Sequence, residues 1–239
     1  MGFAAVVFDM DGLLLDSETV ALATFGEACR EVGFEFNTSV YYRCIGVDGK
    51  RARQILAEGH GKDFPLEAVY EIWRKKMKQA TAEKPMPLKP GAISLLSLLE
   101  SKGIEKAVVT STDTAMARHE LDLAGVSQYF SFILGGDQVA AGKPHPEIYL
   151  KACDRLEESP SRCLALEDSD NGVRAAFGAG LNVVQVIDLV QPSAEVRALG
   201  HRIVNSLSEV EEMLRGNNTN TTNAKYYQSR VPEDERHKG

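Results

Sequence analysis

From Pro90 onward the chain alternates between stretches with helical spacing and short apolar runs, and it keeps this up as far as Leu214. Residues 91–101 have a helical pattern and Ala107-Val108-Val109-Thr110 reads as a strand. A helix over 115–124 precedes the strand Phe132–Leu134, and one over 146–156, with Pro146 at a tolerated first-turn position, precedes Cys163–Glu167. A helix over 172–179 then leads to the strand Asn182–Val186, and Ile203-Val204 with a helix over 208–214 closes the series. Parallel strands need a crossover, and a helix is the usual one. This alternation therefore predicts an α/β fold around a central parallel sheet, with right-handed connections.

The first strand of that sheet stands apart, at the N-terminus. Ala4-Ala5-Val6-Val7-Phe8 is a short run with no polar face, as expected of a strand covered on both sides. Asp9-Met10-Asp11-Gly12 follows at once. The stretch between this turn and the alternating region reads as helical: 19–32, with Ala21, Phe25, Ala28 and Val32 in register and Gly33 to end it, then 49–58, then Leu66–Ala82. The last has Glu67 and Glu71 early and Lys75, Lys76 and Lys78 late, matching the helix macrodipole. No convincing strand occurs between Ser17 and Lys84, and Pro85-Met86-Pro87-Leu88-Lys89-Pro90 ends the block. The expected organisation is a discontinuous core of 1–16 and 87–215, a helical insertion of 17–86, and hinges at 14–18 and 83–87. The Asn/Thr-rich segment 216–239 has too little apolar surface to pack and is expected to be disordered.

A formal charge of −7 over 239 residues argues against nucleic acid or an anionic membrane as the main partner. No apolar run approaches the roughly 20 residues that span a bilayer. Cys29, Cys44, Cys153 and Cys163 are scattered, which suits reduced thiols better than a disulfide frame or a zinc site. The sequence starts on a strand without a signal segment, so the Asn-x-Ser/Thr triplets at Asn37, Asn217 and Asn220 carry little weight. A cytoplasmic monomer is the expectation.

Polar residues gather at strand ends. The first strand ends in Asp9, the next in Thr110-Ser111-Thr112, and a later one in Glu167-Asp168-Ser169; Gly142-Lys143-Pro144 lies after the Phe132–Leu134 strand. In a parallel sheet all of these reach one edge, where ligands bind. Carboxylates from two strands suit Mg²⁺, which takes oxygen ligands, while hydroxyls, backbone amides and a lysine suit phosphate oxygens. Each feature also has a plainer reading: Asp9 and Asp11 as a turn pair, Lys143 as a solvated lysine, and Ser169 or Asp170 as a helix cap. Rival motifs fail. The segment from Gly136 to Lys143 is one residue too long for a phosphate loop and puts Pro144 where a hydroxyl is needed. No Gly-x-Gly-x-x-Gly follows the first strand. Trp73 reads as core of the insertion rather than as a substrate platform.

Asp9-Met10-Asp11-Gly12, Thr110, Lys143 in Gly-Lys-Pro and Glu167-Asp168-Ser169, in that order, resemble the four motifs of the haloacid dehalogenase-like superfamily. The similarity runs from Phe3 to Leu214 and is greatest to the phosphatase and phosphomutase branch with a helical cap. It implies a Rossmann-like three-layer core with the cap inserted after the first strand, and Mg²⁺ as cofactor. By that resemblance Asp9 is the nucleophile and Asp11 the general acid/base, while Thr110, with Ser111 and nearby amides, binds phosphate. Lys143 offsets charge, Gly12 allows close backbone approach, and the metal is held by Asp9, the main-chain carbonyl of Asp11, and Asp168, with Glu167 direct or through water. The segment of Gly46, Asp48, Lys50 and Arg51 resembles the cap's specificity region, so Lys50 and Arg51 are candidate substrate contacts, with Lys75 and Lys76 weaker ones. Asp11 argues against dehalogenation and phosphonate cleavage. Sugar phosphomutases of this kind carry a histidine a few residues after the position of Asp16, and Thr19-Val20-Ala21-Leu22 has none. The expected activity is hydrolysis of a small phosphomonoester such as a sugar phosphate or phosphoglycolate, with a β-phosphoglucomutase-like reaction as the alternative.

Overall fold

The structure, a computed structural model, describes residues 2–46, 49–82 and 84–216. In chain order the elements are β1 (Ala5–Phe8), α1 (Ser17–Glu31), α2 (Thr38–Tyr42), α3 (Gly49–His60), α4 (Leu66–Ala82), α5 (Ala92–Ser101), β2 (Glu105–Val109) and α6 (Thr114–Leu123). Then come β3 (Phe132–Leu134), α7 (Glu147–Arg155), β4 (Cys163–Glu167), α8 (Asp170–Gly178), β5 (Asn182–Val186), α9 (Ala194–Arg197), β6 (Arg202–Val204) and α10 (Leu207–Leu214).

The six strands pair in the order β3-β2-β1-β4-β5-β6, and every pairing is parallel. The chain builds outward from β1 in one direction and then, from β4, in the other. The order therefore reverses between β1 and β4, which is where open α/β sheets place their ligands. Register makes the two strand ends level: Phe8 lies opposite both Val108 and Leu166, and the Asp9 amide donates to the Leu166 carbonyl at 3.0 Å.

Two apolar layers explain why β1 has no polar face. Val6 and Phe8 pack with Leu95 and Leu99 of α5, Leu121 of α6 and Val210 of α10. Ala5 and Val7 face the other way, onto Ile148 and Ala152 of α7 and Val173 and Ala176 of α8. The result is a three-layer helix–sheet–helix core, as the alternating pattern predicts.

Helices α1–α4 form the inserted cap with a core of their own around Phe25. The rings of Phe36, Tyr41, Tyr70 and Trp73 surround Phe25, with centroids between 5.1 and 6.2 Å away. Trp73 belongs to this packing, and its indole N–H donates to the Ala21 carbonyl and to Thr24 Oγ1, both at 3.2 Å. The segments that lead into and out of the cap are tied to each other: Asp16 N to Pro87 O and Lys89 N to Leu14 O, each 2.8 Å, flank the antiparallel Leu15–Leu88 bridge.

Several bounds differ from the sequence-based expectation. Helix α2 has only five residues, too few to show a period, and is started by Asn37, whose Oδ1 accepts from Ser39 N at 3.0 Å. Helix α9, with four residues, escapes for the same reason. Strand β2 ends at Val109, so Thr110 begins the loop. All four cysteines are thiols. No described helix is long and apolar enough to cross a membrane. The expectations for Asp48, for Glu83 in the second hinge and for the segment beyond Gly216 lie outside the described residues.

Candidate active site

Asp9 leaves β1 as the strand ends, and its carboxylate is nearly buried. Lys143, from the loop before α7, reaches it at 2.5 Å from Nζ to Oδ1. The same ammonium lies 2.6 Å from Glu167 Oε1 at the end of β4, and neither the lysine nor the glutamate is appreciably exposed. A buried lysine held by two carboxylates stays charged: burial pulls its pKa down, but Asp9 and Glu167 outweigh that and raise it. Glu167 Oε1 also accepts from the Tyr149 hydroxyl at 2.5 Å, and Oε2 from Ser169 Oγ at 3.3 Å. Space for this carboxylate depends on Gly172 in the first turn of α8. A Cβ there would lie 1.9 Å from Glu167 Oε2. Ser169 caps that helix, accepting from Gly172 N at 3.1 Å, so the motif caps the helix as well as ending the strand.

Asp11 faces a different set of partners. Its Oδ2 accepts from Thr112 Oγ1 at 2.9 Å and from Thr110 Oγ1 at 3.3 Å. Thr110 is buried and also accepts from Thr112 N at 3.0 Å, whereas Ser111 is exposed and lines the cleft above. Thr112 is thus a holder of Asp11 that motif matching passes over. Gly12 completes the turn with φ of +74°. Its Cα sits so close to Asp168 that a Cβ would be 2.4 Å from Asp168 Oδ2.

One ligand oxygen from each of Asp9, Glu167 and Asp168 can be chosen so that all lie within 4.8 Å of one another. Electrostatics there are unbalanced. Burial, with Lys143 lowering and Glu167 and Asp11 raising, lifts the Asp9 carboxyl above its ordinary range. Burial, then Asp9, Glu167 and Asp188, lifts that of Asp168 well above it. One lysine cannot neutralise this many carboxylates. A cluster of buried oxygen donors short of positive charge fits a hard divalent cation such as Mg²⁺.

The cleft over the turn, about 370 Å³, is lined by Asp9, Asp11, Thr110, Ser111, Lys143 and Asp168 from the core. The cap closes it with Ile45 and Gly46, and Glu18 enters from the first turn of α1. Asn171 Nδ2 donates to the Gly46 carbonyl at 2.7 Å, a direct hydrogen bond between core and cap. Burial, then Asp188 and Asp11, pushes the Glu18 carboxyl up to about 7. Sequence reasoning passes over Asn171 and Glu18 as site residues. The structure brings together Asp9, Asp11, Gly12, Thr110, Ser111, Lys143, Glu167 and Asp168. Lys50 and Arg51 are exposed at the start of α3, outside the described lining of this cleft. Lys76 is engaged within the cap by Glu27 and Glu31, at 3.3 and 3.2 Å.

Comparison with known proteins agrees with this architecture. The sequence profile of haloacid dehalogenase-like hydrolases matches residues 6–186. A phosphorylated carbohydrates phosphatase of Thermotoga maritima is 31% identical over 210 residues, spanning 88% of this chain and 96% of its own length. A crystal structure of a HAD family hydrolase from Deinococcus radiodurans, with bound phosphate and sodium, superposes with a TM-score of 0.74 at 26% identity, covering 90% of this chain and 96% of that one. CbbY of Rhodobacter sphaeroides, solved with phosphate, gives a TM-score of 0.65 at 28% identity over 87% of this chain and 96% of its own. The chain belongs to the haloacid dehalogenase-like hydrolases. Within them it is an enzyme of the phosphatase kind.

Proposed function

We propose that the protein hydrolyses a small phosphomonoester, a sugar phosphate or a phosphoglycolate-like compound, through an aspartyl-phosphate on Asp9. The observation that carries this reading is the separation of the two turn acids: Asp9 is held by Lys143, Asp11 by Thr112 and Thr110. Two carboxylates with different partners can take different chemical roles. The core is taken as 1–16 and 87–215 and the cap as 17–86.

In this mechanism a carboxylate oxygen of Asp9 attacks phosphorus, and the P–O bond to the leaving alcohol breaks. Asp11 gives its proton to that departing oxygen. In the second half Asp11 takes a proton from water as the water oxygen attacks the phosphorus of the acyl phosphate, which releases inorganic phosphate and restores Asp9. Lys143 keeps Asp9 in place and offsets charge on the phosphoryl oxygens, with Glu167 and Tyr149 fixing the lysine. Ser111, exposed over the cleft, would donate to phosphate oxygens, and so would Thr110 once its hydroxyl turns from Asp11. Asp9, Asp168 and the main-chain carbonyl of Asp11 would hold Mg²⁺, with Glu167 close by. The bound ion would neutralise carboxylate and phosphoryl charge together.

Support for a carbohydrate phosphate comes from the Thermotoga relative's name, and support for an anionic phosphate site from the phosphate bound to the Deinococcus and Rhodobacter proteins. Water as final acceptor suits a first turn of α1 that places Glu18, and no histidine, beside the cleft. The test is a Mg²⁺ assay over sugar phosphates, phosphoglycolate, nucleotides and β-glucose 1-phosphate, scoring both phosphate release and isomer formation. Phosphate release that disappears in Asp9→Asn and in excess EDTA is expected. Normal turnover in either would sink the mechanism, and isomer without phosphate would establish the mutase alternative.

A further inference from the structure

Asp188 lies just beyond β5, and its side chain is only 6% exposed. Its two oxygens are treated very differently. Oδ1 accepts from Lys89 Nζ at 2.5 Å, and that ammonium also lies 3.3 Å from Asp16 Oδ1. Oδ2 is buried with no hydrogen-bond partner among the described residues. Leaving a buried carboxylate oxygen unpaired is unfavourable, so its direction is informative.

That direction is toward the acidic turn. A Cβ placed on Gly12 would be 3.1 Å from Asp188 Oδ2 and 2.4 Å from Asp168 Oδ2, so both oxygens crowd the space over one Cα. They come from the loops after neighbouring strands, β4 and β5. Asp188 is not part of the compact trio of Asp9, Glu167 and Asp168, which puts it one ring further out. Mg²⁺ usually keeps several waters, and those waters need acceptors that the protein holds in place.

We infer that Asp188 is a residue of the Mg²⁺ site, with Oδ2 accepting hydrogen bonds from the cation's hydration shell and Lys89 as the positioning residue that turns this oxygen inward. The inference rests on the reading that Asp9 and Asp168 hold Mg²⁺. It joins the metal site to the cap hinge, because Lys89 also bonds Asp16 and donates its backbone N–H to the Leu14 carbonyl. The competing account of Oδ2 is a proton shared with Asp168, which would need no cation.

Isothermal titration of the full chain with Mg²⁺ alone, backed by Mn²⁺ binding followed by EPR, separates these accounts. Asp188→Asn and Asp188→Ser are compared with wild type after metal-free melting has shown both to be folded; the serine variant leaves room for water if the asparagine one misfolds. Partners of this outer kind are typically worth about 10–100-fold in metal affinity, and a loss of that size is expected in both variants, with a smaller Mg²⁺-induced rise in Tm. Affinity within about twofold of wild type in either folded variant overturns the inference. Asp168→Asn serves as the reference. If it too binds Mg²⁺ normally, the metal-site reading itself fails; if it alone loses the ion, only the role of Asp188 does.

Discussion

Gly12 allows the site's geometry to be tested separately from its backbone strain. Replacing it with alanine does two things. It puts a side chain on a residue with φ of +74°, and it drives a Cβ to 2.4 Å from Asp168 Oδ2 and 3.0 Å from its Cγ. The first effect is that of a left-handed L-residue, roughly 1–2 kcal/mol. Gly33, just after α1 in the cap, supplies the control, since its φ is +73° and no atom lies within 4 Å of its would-be Cβ. Gly33→Ala should therefore lose about 1–2 kcal/mol, or roughly 2–8 °C in Tm for a chain of this size, with normal kinetics. Gly12→Ala should show a similar backbone loss and something more. Asp168 has to retreat by roughly 1 Å, and a displacement of that order at a reacting centre can cost ~10²-fold in rate. Urea unfolding in EDTA, Mg²⁺ titration and steady-state kinetics on both variants measure the three quantities. Loss of stability without loss of Mg²⁺ affinity or kcat in Gly12→Ala would show that Asp168 does not serve the metal from this position.

Asp11→Asn should reduce kcat by about 10²–10⁴-fold, the usual worth of a general acid/base; a change below about threefold would contradict its role. Asn171→Ala removes the hydrogen bond to the Gly46 carbonyl and should raise KM several-fold with little change in Tm, and an unchanged KM would show that this contact does not hold the cap over substrate. Glu18 has its pKa raised from 4.5 to about 7 by burial, then by Asp188 and Asp11. A carboxyl raised on folding contributes stability that is full below pH 4.5 and is lost as pH climbs through 7. Metal-free Glu18→Gln should therefore flatten the decline in unfolding free energy between those values, and parallel profiles for variant and wild type would refute the assignment. Phe25→Ala should cost the cap about 3–5 kcal/mol, read as an early unfolding step by hydrogen exchange in α1 and α4.

How much of this the sequence revealed depends on how each residue signals. The strands Phe132–Leu134, Cys163–Glu167 and Asn182–Val186 fall where the apolar runs put them, because burial on both faces keeps each run mostly apolar, with polar residues confined to Glu167, Asn182 and Gln185. Asp9, Glu167 and Asp168 are legible for the complementary reason: an acid that directly follows such a run falls at the ligand edge of the sheet. Lys143 needs the family's motif order, since nothing local separates it from a solvated lysine. Tyr149 is hidden among the buried positions of α7, where its ring looks like any core residue and only its hydroxyl bond to Glu167 shows a second role. Lys50 and Arg51 rest on charge near the cap's turn and on the family resemblance alone, since sequence does not fix which way a helix start points.

Asp188 narrowly misses the rule that revealed Asp9, because Ile187 separates it from the end of β5. It stands two residues after the last residue of β5, as Asp11 stands three after that of β1, and the apolar Ile187 and Leu189 on either side of it disguise the acid as an accident in a hydrophobic loop. What separates it from a chance surface aspartate is burial together with a dedicated lysine, and Lys89 lies 99 positions away in the chain. No local pattern can encode that pairing. Lys89 bonds Asp16 in the first hinge, and its ammonium satisfies one oxygen of Asp188 while leaving the other to the acidic turn, so one charge connects the hinge to the site. If metal affinity and hinge geometry are linked in this way, Lys89→Met should weaken Mg²⁺ binding although Lys89 is no candidate ligand, and Mg²⁺ should slow hydrogen exchange at Asp16 and Lys89, whose amides close the hinge. Unchanged Mg²⁺ affinity in a folded Lys89→Met protein would break that link and leave the lysine with a structural role only.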